Sequence, residues 1–479
     1  MTSLLLSLAG ALSLAAHAPQ AGAVDGASAA GSREKIPSIP FESFKLANGL
    51  NVILSEDHTT PIVGVDVHYN VGSKDEKPGR TGFAHLFEHL MFQGSEHLPK
   101  GESDRLIENV GGSANGSTGQ DQTVYWQQVP SNALEQALFI ESDRMGWLLP
   151  TLDQAKLDNQ REVVKNERRQ SFEMQPYGTA FIALLANLWD PDFPYHWLPI
   201  GSHEDLTAAT LEDVREFFKK WYGPGNASLA IAGDFDPKEA RRLVEKWFGA
   251  VPPGPPPEHR APQPKPLTQE KRVTVEDNVE LPRLYVAWQT PKVFAEGDAA
   301  LDMLGSVLSE GKSARLVRRM VMDERIAQNV SAGQSSQDLA SMFVVVATPK
   351  PGQSVDRLLA EIDEEIDKLK KEPPTQGELE RAVNKTESGA IFSLEPVGGF
   401  GGRAASLNRY YFETGDPGYF PKDIGRYRNV KPEEVRDAAA KWLRKDARVV
   451  LTVMPRKMVG GAPARPAPGA ARPAKKEVP

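Results

Sequence analysis

The sequence of 479 residues contains no cysteine and only nine histidines. The lack of cysteine excludes disulfide frameworks, thiol nucleophiles and thiolate metal sites, so any metal site must use His, Asp or Glu. The sequence also has no excess of basic residues, because it contains 56 Lys and Arg but 64 Asp and Glu. The resulting net charge of −8 argues against a nucleic-acid partner.

Apolar runs long enough to span a membrane are absent, which excludes a membrane-spanning helix. The apolar stretch at residues 4–16 is too short for that purpose, and two A-x-A-like triplets follow it at 16–18 and 21–23. This pattern is typical of a secretory signal peptide, although no Lys or Arg precedes Arg33. We predict a signal peptide over 1–23, a flexible leader over 24–40, and a periplasmic or secreted protein.

Proline-rich stretches divide the remaining chain. Residues 252–266 contain eight prolines and can form neither a helix nor a central strand, which predicts a stiff extended linker over 251–270. An Ala/Pro-rich stretch at the C-terminus predicts a disordered tail over 457–479. Two domains follow, over 41–250 and 271–456.

The two predicted domains carry a faint internal repeat. Residues 211–221 and 432–442 share Glu/Asp-Val-Arg and a later Trp at equal spacing, and both are offset by 221 positions. Each segment is an amphipathic helix pattern that precedes a short apolar run. The shared spacing favours a duplicated helix–strand unit over a coincidence.

The patterns within each domain indicate an α+β fold. Asn48-Gly49 is a hairpin-turn signal, and alternating apolar residues over 63–71 predict a half-buried strand. Helical periodicity predicts helices over 82–94, 102–110, 134–149 and 153–172. We therefore predict two tandem homologous domains, each a mainly antiparallel sheet with helices packed on one face.

The predicted helix over 82–94 carries the most informative motif, His85-x-x-Glu88-His89. Histidines four residues apart lie one above the other on a helix face, so both imidazoles can bind one metal ion. Glu88 borders the same face and can act beside the metal without binding it. The motif therefore predicts a metal site with an adjacent carboxylate.

A catalytic zinc site needs a third protein ligand and an open position for water. The next carboxylate-rich helix offers Glu162 and Glu167, and spacing alone does not choose between them. Zinc held by two His and one carboxylate would lower the pKa of a bound water toward about 7. Glu88 would accept the water's proton and deliver it to a leaving amine, so the motif predicts hydrolysis of a peptide bond.

Several separate segments extend this pattern to a known family. With the H-x-x-E-H motif, the stretches 46–54, 112–118, 121–126, 222–227 and 233–236 make the chain resemble the pitrilysin, or M16, family of zinc peptidases over about residues 40–455. The resemblance implies one Zn²⁺ per chain bound by His85, His89 and Glu167, with Glu88 as the base. It also implies that the second domain, which lacks the motif, is metal-free.

The resemblance implies less for the surrounding residues. The family commonly has a supporting Glu seven residues before the third ligand, where this chain has Gln160, while Glu162 is nearby but out of register. Asn115 and Tyr125 resemble residues of the strand beside the zinc, where an extended peptide can bind. Both are predicted substrate contacts, with a turn residue and a strand-packing aromatic as the alternatives.

The resemblance also bears on assembly. Active relatives use an Arg and a Tyr seven residues apart, from the second half or from a partner, to hold substrate at the zinc. Here Val321 and Gln328 occupy those positions. We predict a separate M16 subunit that supplies the Arg/Tyr pair, with a homodimer as the alternative.

These patterns predict a zinc endopeptidase acting on extended peptides or unfolded segments. The alternatives are a non-catalytic structural or chaperone-like subunit of an envelope complex, and a zinc hydrolase of a non-peptide amide. Silent relatives usually lose a ligand or the base, whereas all four residues are present here. The intact motif therefore favours the peptidase.

Overall fold

The computed structural model describes residues 35–254 and 256–456. The predicted signal peptide, leader residues 24–34 and the predicted tail over 457–479 lie outside the described residues. Within the described ranges, no helix is long and apolar enough to cross a membrane. The described chain forms two halves, each with one sheet and its helices, which confirms the predicted α+β class.

The first half is built on a six-stranded sheet. Its strands are β1 (Glu42–Lys45), β2 (Asn51–Glu56), β3 (Ile62–Tyr69), β4 (Ser113–Thr118), β5 (Thr123–Pro130) and β6 (Ala227–Gly233). Its helices are α1 (Phe83–Leu90), α2 (Glu102–Asn109), α3 (Leu134–Trp147), α4 (Gln154–Arg168), α5 (Ala180–Leu188), α6 (His203–Ala208), α7 (Leu211–Trp221) and α8 (Pro237–Phe248). The strand order is β1-β2-β6-β3-β5-β4, and only β2 and β6 pair in parallel.

The second half is built on a five-stranded sheet. Its strands are β7 (Lys271–Asp277), β8 (Arg283–Thr290), β9 (Ala327–Ser335), β10 (Ser341–Pro349) and β11 (Val449–Pro455). Its helices are α9 (Asp298–Ser309), α10 (Val355–Lys371), α11 (Gln376–Phe392), α12 (Arg403–Thr414), α13 (Phe420–Asn429) and α14 (Pro432–Trp442). The order is β7-β11-β8-β10-β9, with β7 and β11 parallel.

The predicted turn at Asn48-Gly49 and the predicted strand over 63–71 can be compared directly with the structure. Asn48 and Gly49 form the turn between β1 and β2, and Gly49 adopts φ of +97°, a conformation that glycine reaches without steric penalty. In β3, Val63, Val65 and Val67 are fully buried on one face of the sheet, as their alternation predicts. The turn and the strand are therefore confirmed, but the half-buried character is wrong, because Asp66 and His68 on the other face of β3 are also buried.

The predicted internal repeat is confirmed by the sheet topology. Without the extra strand β1, both sheets have the same relative strand order. Helix α7 leads into β6 and helix α14 leads into β11, which in each sheet lies between a parallel and an antiparallel neighbour. The two repeat segments therefore occupy equivalent places in two homologous domains.

Each half covers the reverse face of the other half's sheet. Helices of the same half pack on one face, as predicted, but α12 of the second half packs on β3 and β6 of the first. Reciprocally, α5 of the first half packs on β8 and β11 of the second. The apolar residues that join α5 to the second sheet in one buried cluster are Leu184, Leu185, Leu188, Tyr285, Val344 and Leu451. This exchange, which the sequence patterns did not predict, ties the halves together.

The predicted linker packs along the first half. Residues 252–254 and 256–270 form neither a helix nor a strand, in line with their proline content. The His259 ring lies 5.0 Å from the ring of Trp221, and its Nδ1 is 3.0 Å from Asp75 Oδ1. Arg260 donates to the Glu76 carbonyl at 3.0 Å. The domain boundaries at 250 and 271 stay predictions.

Two glycines allow the halves to meet closely. A Cβ on Gly64 would lie 2.5 Å from Gly398 Cα and 2.7 Å from the Val397 carbonyl oxygen. We expect Gly64→Ala to lower the free energy of unfolding by about 1–3 kcal/mol in a urea titration, because backbone atoms must move apart. Gly389→Ala is the matched control, since Gly389 lies in α11 with open space around its Cα. Equal effects of the two substitutions would contradict this close contact.

An ion pair across the halves predicts a pH-dependent stability. The Arg403 guanidinium donates to Asp57 and holds the pKa of that carboxyl at about 2, below the usual value of 3.8. Because the folded pKa is depressed, the ionised Asp57, held by Arg403 and by hydrogen bonds from Thr59, stabilises the fold fully above pH 5 by about 2 kcal/mol, and this contribution disappears as the pH falls through 2.

The measurement compares urea unfolding of the native chain and Asp57→Asn. We expect the difference between them to shrink by about half from pH 7 to pH 3. The exposed pair Glu102–Arg105 is the control, because solvent screening leaves Glu102→Gln with a far smaller change. A difference for Asp57→Asn that does not vary with pH would exclude this ion pair as its source.

Candidate active site

Helix α1 presents the motif residues from a fixed starting point. Gly82 precedes the helix with φ of +86°, and its backbone N–H donates to Glu76 Oε2 at 3.0 Å. The N–H of Ala84 donates to the other oxygen of Glu76 at 2.9 Å. A carboxylate at a helix N-terminus satisfies free N–H groups and interacts favourably with the helix dipole. Glu76 therefore anchors the helix that carries His85, Glu88 and His89.

The structure brings three of the predicted residues to one point. Helix α4 packs against α1, and the potential ligand atoms of His85, His89 and Glu167 all lie within 4.8 Å of one another. His89 Nε2 is 3.1 Å from Glu167 Oε2, and His85 Nε2 is 3.8 Å from Glu167 Oε1. Ligand atoms around a tetrahedral zinc, with bonds of about 2.0–2.2 Å, lie about 3.4 Å apart. The observed distances fit one ion between the two helices.

Several buried atoms of this cluster lack a hydrogen-bond partner. They are both ring nitrogens of His85, Oε2 of Glu88 and Oε1 of Glu167. An unsatisfied buried polar group costs about 1–3 kcal/mol, so a cluster of them needs an explanation. Two imidazoles and one carboxylate form a ligand set that zinc prefers. The residues present therefore fit a bound Zn²⁺.

Burial determines the protonation of the two innermost groups. Desolvation lowers the pKa of His85 to about 3, so this imidazole is neutral and has a lone pair available. Desolvation raises the pKa of the Glu88 carboxyl to about 7, against hydrogen bonding from Thr118. The side chains of His89 and Glu167 are each 19% exposed, so the cluster is open to solvent on that side.

Interactions with neighbouring charged groups determine the protonation of His89 and Glu167, the two less buried members of the cluster. Burial raises the pKa of Glu167, but its hydrogen bond with His89 and the charges of His85 and His89 outweigh burial and lower it. Burial lowers the pKa of His89, but its interactions with Glu167, Glu88 and Gln160 outweigh that effect and raise it. Glu167 is therefore the anionic member of the cluster.

The two predicted supporting residues fall on different sides of α4. Gln160 is 3% exposed and interacts with His89, whose pKa it raises, while its amide N–H donates to Asn159 Oδ1 at 2.8 Å. The side chain of Glu162 is 59% exposed and pairs with Lys165 at 2.9 Å, so the structure does not bring it to the cluster. The reason is helical geometry, since residues seven apart share a face whereas residues five apart point about 140° away from each other.

The two predicted substrate contacts also differ. Asn115 is half-buried on β4, the edge strand of its sheet, where its side chain accepts from the Gly116 N–H at 2.8 Å. Tyr125 is fully buried beneath the guanidinium of Arg144, 4.9 Å from its ring centre, and beside Phe92. This environment favours the packing role of Tyr125 over contact with a substrate.

Sequence reasoning missed two polar residues of the site. Glu76 anchors α1 and also accepts from Trp197 Nε1 at 3.0 Å, and Thr118 hydrogen-bonds with Glu88. An acidic residue shortly before a helix start is a possible signal for Glu76, but its six-residue distance from Gly82 lies outside the usual capping pattern. Thr118 has no local signal, because only the packing of β4 on α1 brings it to Glu88.

Comparisons with known proteins identify the family of the chain. Residues 51–191 match the family described as Insulinase (Peptidase family M16), and residues 208–386 match the Peptidase M16 inactive domain. The chain is 31% identical over 362 residues to the zinc protease PqqE of Helicobacter pylori, covering 74% of this chain and 80% of that protein.

Two further relatives extend the comparison. The crystal structure of a protease from Helicobacter pylori superposes with a TM-score of 0.81 at 27% identity, covering 88% of this chain and all of that one. The mitochondrial-processing peptidase subunit beta of Saccharomyces cerevisiae is 27% identical over 208 residues, 43% of this chain and 44% of that protein. From these matches and the duplicated α+β architecture, we conclude that the chain belongs to the M16 family of zinc proteases.

Proposed function

We propose that this protein is a zinc-dependent endopeptidase that hydrolyses peptide bonds in extended peptides or unfolded segments. The observation that carries the proposal is the convergence of His85, His89 and Glu167, with unpartnered buried atoms, beside the buried carboxyl of Glu88. Relatives named zinc proteases support the same activity.

In this proposal His85, His89 and Glu167 hold one Zn²⁺ per chain. The bound ion would polarise the substrate carbonyl and lower the pKa of water at the site. His85 contributes a neutral imidazole from the buried end of the cluster, and Glu167 contributes a negative charge from the second helix. Gln160 orients His89 through their interaction, in the way that outer residues of metal sites orient ligands.

Glu88 moves the proton in this mechanism. It accepts a proton from water as the water oxygen attacks the carbonyl carbon of the peptide. It then delivers the proton to the amide nitrogen as the C–N bond breaks, which releases a carboxylate and an amine. Hydrogen bonding from Thr118 lowers the pKa of Glu88 and so favours the carboxylate form that accepts the first proton.

Strand β4 explains why extended peptides suit the site. It is an edge strand, and it contacts α1, the helix that carries the motif. An extended peptide can add to such an edge through backbone hydrogen bonds, which places one of its carbonyls near the motif. Asn115 lies on this strand and is the proposed contact from the face away from α1.

We further propose that a second M16 subunit completes the site. Gln328 is exposed on β9, and Val321 lies in the π-helical segment Val317–Asp323, where active relatives carry the Tyr and the Arg. Val321 has no hydrogen-bond donor, and Gln328 offers only a neutral amide, so the charged donor of the Arg/Tyr pair is missing at these two positions. A heterologous subunit bearing that pair would supply it, and a homodimer that works without the pair is the alternative.

The N-terminal pattern at 1–23 supports export of the mature protein to the periplasm or the medium. The activity test therefore uses residues 24–479, expressed alone and together with a homologue encoded beside it. We expect one zinc per chain, cleavage of unstructured peptides by the pair, weaker cleavage by the chain alone, and loss of cleavage with a chelator. Full activity of the single chain would exclude the need for a partner.

A further inference from the structure

A large aromatic side chain is exposed over β5, the strand that pairs with the edge strand β4. Phe400 is 53% exposed, and its ring packs edge-on against Trp126 of β5 with 5.4 Å between the ring centres. The indole Nε1 of Trp126 is buried without a hydrogen-bond partner. Unlike Phe392, which is exposed without an aromatic contact among the described residues, Phe400 forms an aromatic pair whose outer ring faces solvent.

The loop that carries Phe400 is closed at its base by backbone hydrogen bonds. Gly399 and Gly401 flank it with φ of +82° and +75°. Two backbone hydrogen bonds close the base of the loop, from the Arg403 N–H to the Pro396 carbonyl at 2.8 Å and from the Ala404 N–H to the Val397 carbonyl at 3.1 Å. The closed base and the contact with Trp126 together place the ring of Phe400 over β5.

This aromatic pair lies on the same sheet face as Asn115. Trp126 pairs directly with Asn115 of β4 on one side and with Asp66 of β3 on the other. Asp66 is hydrogen-bonded to Asn408 of α12, so this face is the one opposite α1. The side chains of a peptide strand alternate between faces, so every second side chain of a peptide added to β4 points toward this side.

We propose that Trp126 and Phe400 form a subsite for a bulky apolar side chain of the peptide strand that adds to β4. This inference rests on the proposed function, because it needs the substrate on that edge. The peptide residue opposite Asn115 directs its side chain over the strand toward Trp126, while the neighbouring residues face the motif. Aromatic or large aliphatic residues at this position gain contact with both rings, and the buried faces of the rings lose water.

The test separates binding from cleavage. A set of labelled, unstructured peptides carries Phe, Leu, Ser or Gly at each position in turn, and binding is measured by fluorescence anisotropy with the Glu88→Gln protein. In that background we expect Phe400→Ala to weaken binding of the Phe and Leu peptides by about three- to tenfold at one position, with little change for Ser or Gly. Phe400→Tyr should restore the preference.

The matched control is Phe392→Ala, which removes a ring that is 63% exposed at the end of α11. It should leave the preference unchanged. Equal weakening of all peptides by Phe400→Ala, or a preference that survives it, would overturn the subsite. Loss of a subunit contact in size-exclusion chromatography without a change in preference would identify the ring as an association surface and also overturn it.

The parallel cleavage assay distinguishes the two proposals. If the native chain with its partner cleaves peptides but Phe400→Ala shows no selective effect, only the subsite fails. If binding depends on Phe400 but no peptide is cleaved, the peptidase proposal fails and the subsite remains.

Discussion

Glu88→Gln is expected to reduce peptide hydrolysis by roughly 100- to 10,000-fold while zinc remains bound. Glutamine fills nearly the same volume and can still accept from Thr118, but it cannot take a proton from water or return one to the amine. Glu88 is not one of the three residues whose ligand atoms converge, so the ion should stay in place. The measurement is kcat on an unstructured peptide, together with zinc content from metal analysis.

The control for this prediction is Glu108→Gln, which removes an exposed carboxylate on α2 and should leave kcat unchanged. Unfolding curves of both variants exclude a general loss of structure. If Glu88→Gln retains native kcat, Glu88 is not the proton carrier. If the native protein binds one zinc but cuts no peptide with any partner, and Glu88→Gln changes nothing, the protein is a structural or chaperone-like subunit.

Glu167→Ala is expected to weaken zinc binding by more than about 100-fold and to abolish hydrolysis at micromolar zinc. Removing a residue that only orients a ligand already costs about 10–100-fold in affinity, and Glu167 supplies the negative charge of the cluster itself. The zinc dissociation constant is measured by competition with a coloured chelator, which needs no activity assay.

Glu162→Ala is the matched control, because Glu162 lies on the same helix but pairs with Lys165 on its exposed side. It should bind zinc like the native chain. Similar affinity losses in both variants would indicate that α4 had been disturbed as a whole. Native affinity in Glu167→Ala would show that the third ligand comes from another residue, or from a partner.

The fold could be predicted where local chemistry decides it. The Asn48-Gly49 turn, the alternation along β3 and the shared helix–strand repeat are short-range patterns, and the structure agrees with each. The reciprocal packing of α5 and α12 could not be predicted in this way. The second face of each sheet must be buried by a helix, but the apolar pattern of the sequence does not identify which helix packs there.

Some residues of the candidate site could likewise be predicted from local spacing, whereas others depend on tertiary packing. Helical spacing alone is enough to place His85, Glu88 and His89 on one face of α1. It leaves Glu162 and Glu167 open as the third ligand, because the side of α4 that meets α1 depends on packing. It also leaves open the role of Tyr125, whose burial beneath Arg144 is a property of the assembled domain.

The sequence by itself therefore determined the family, the helix that carries the H-x-x-E-H motif and the duplicated α+β architecture, because each depends on residue types at fixed short spacing. Only the tertiary structure decided that Glu167 and Gln160 meet His89, that Glu76 anchors α1, and that a loop of the second half places Phe400 beside Trp126. These contacts join residues far apart in the chain, and they form because burying both faces of two sheets leaves few ways to pack the helices together.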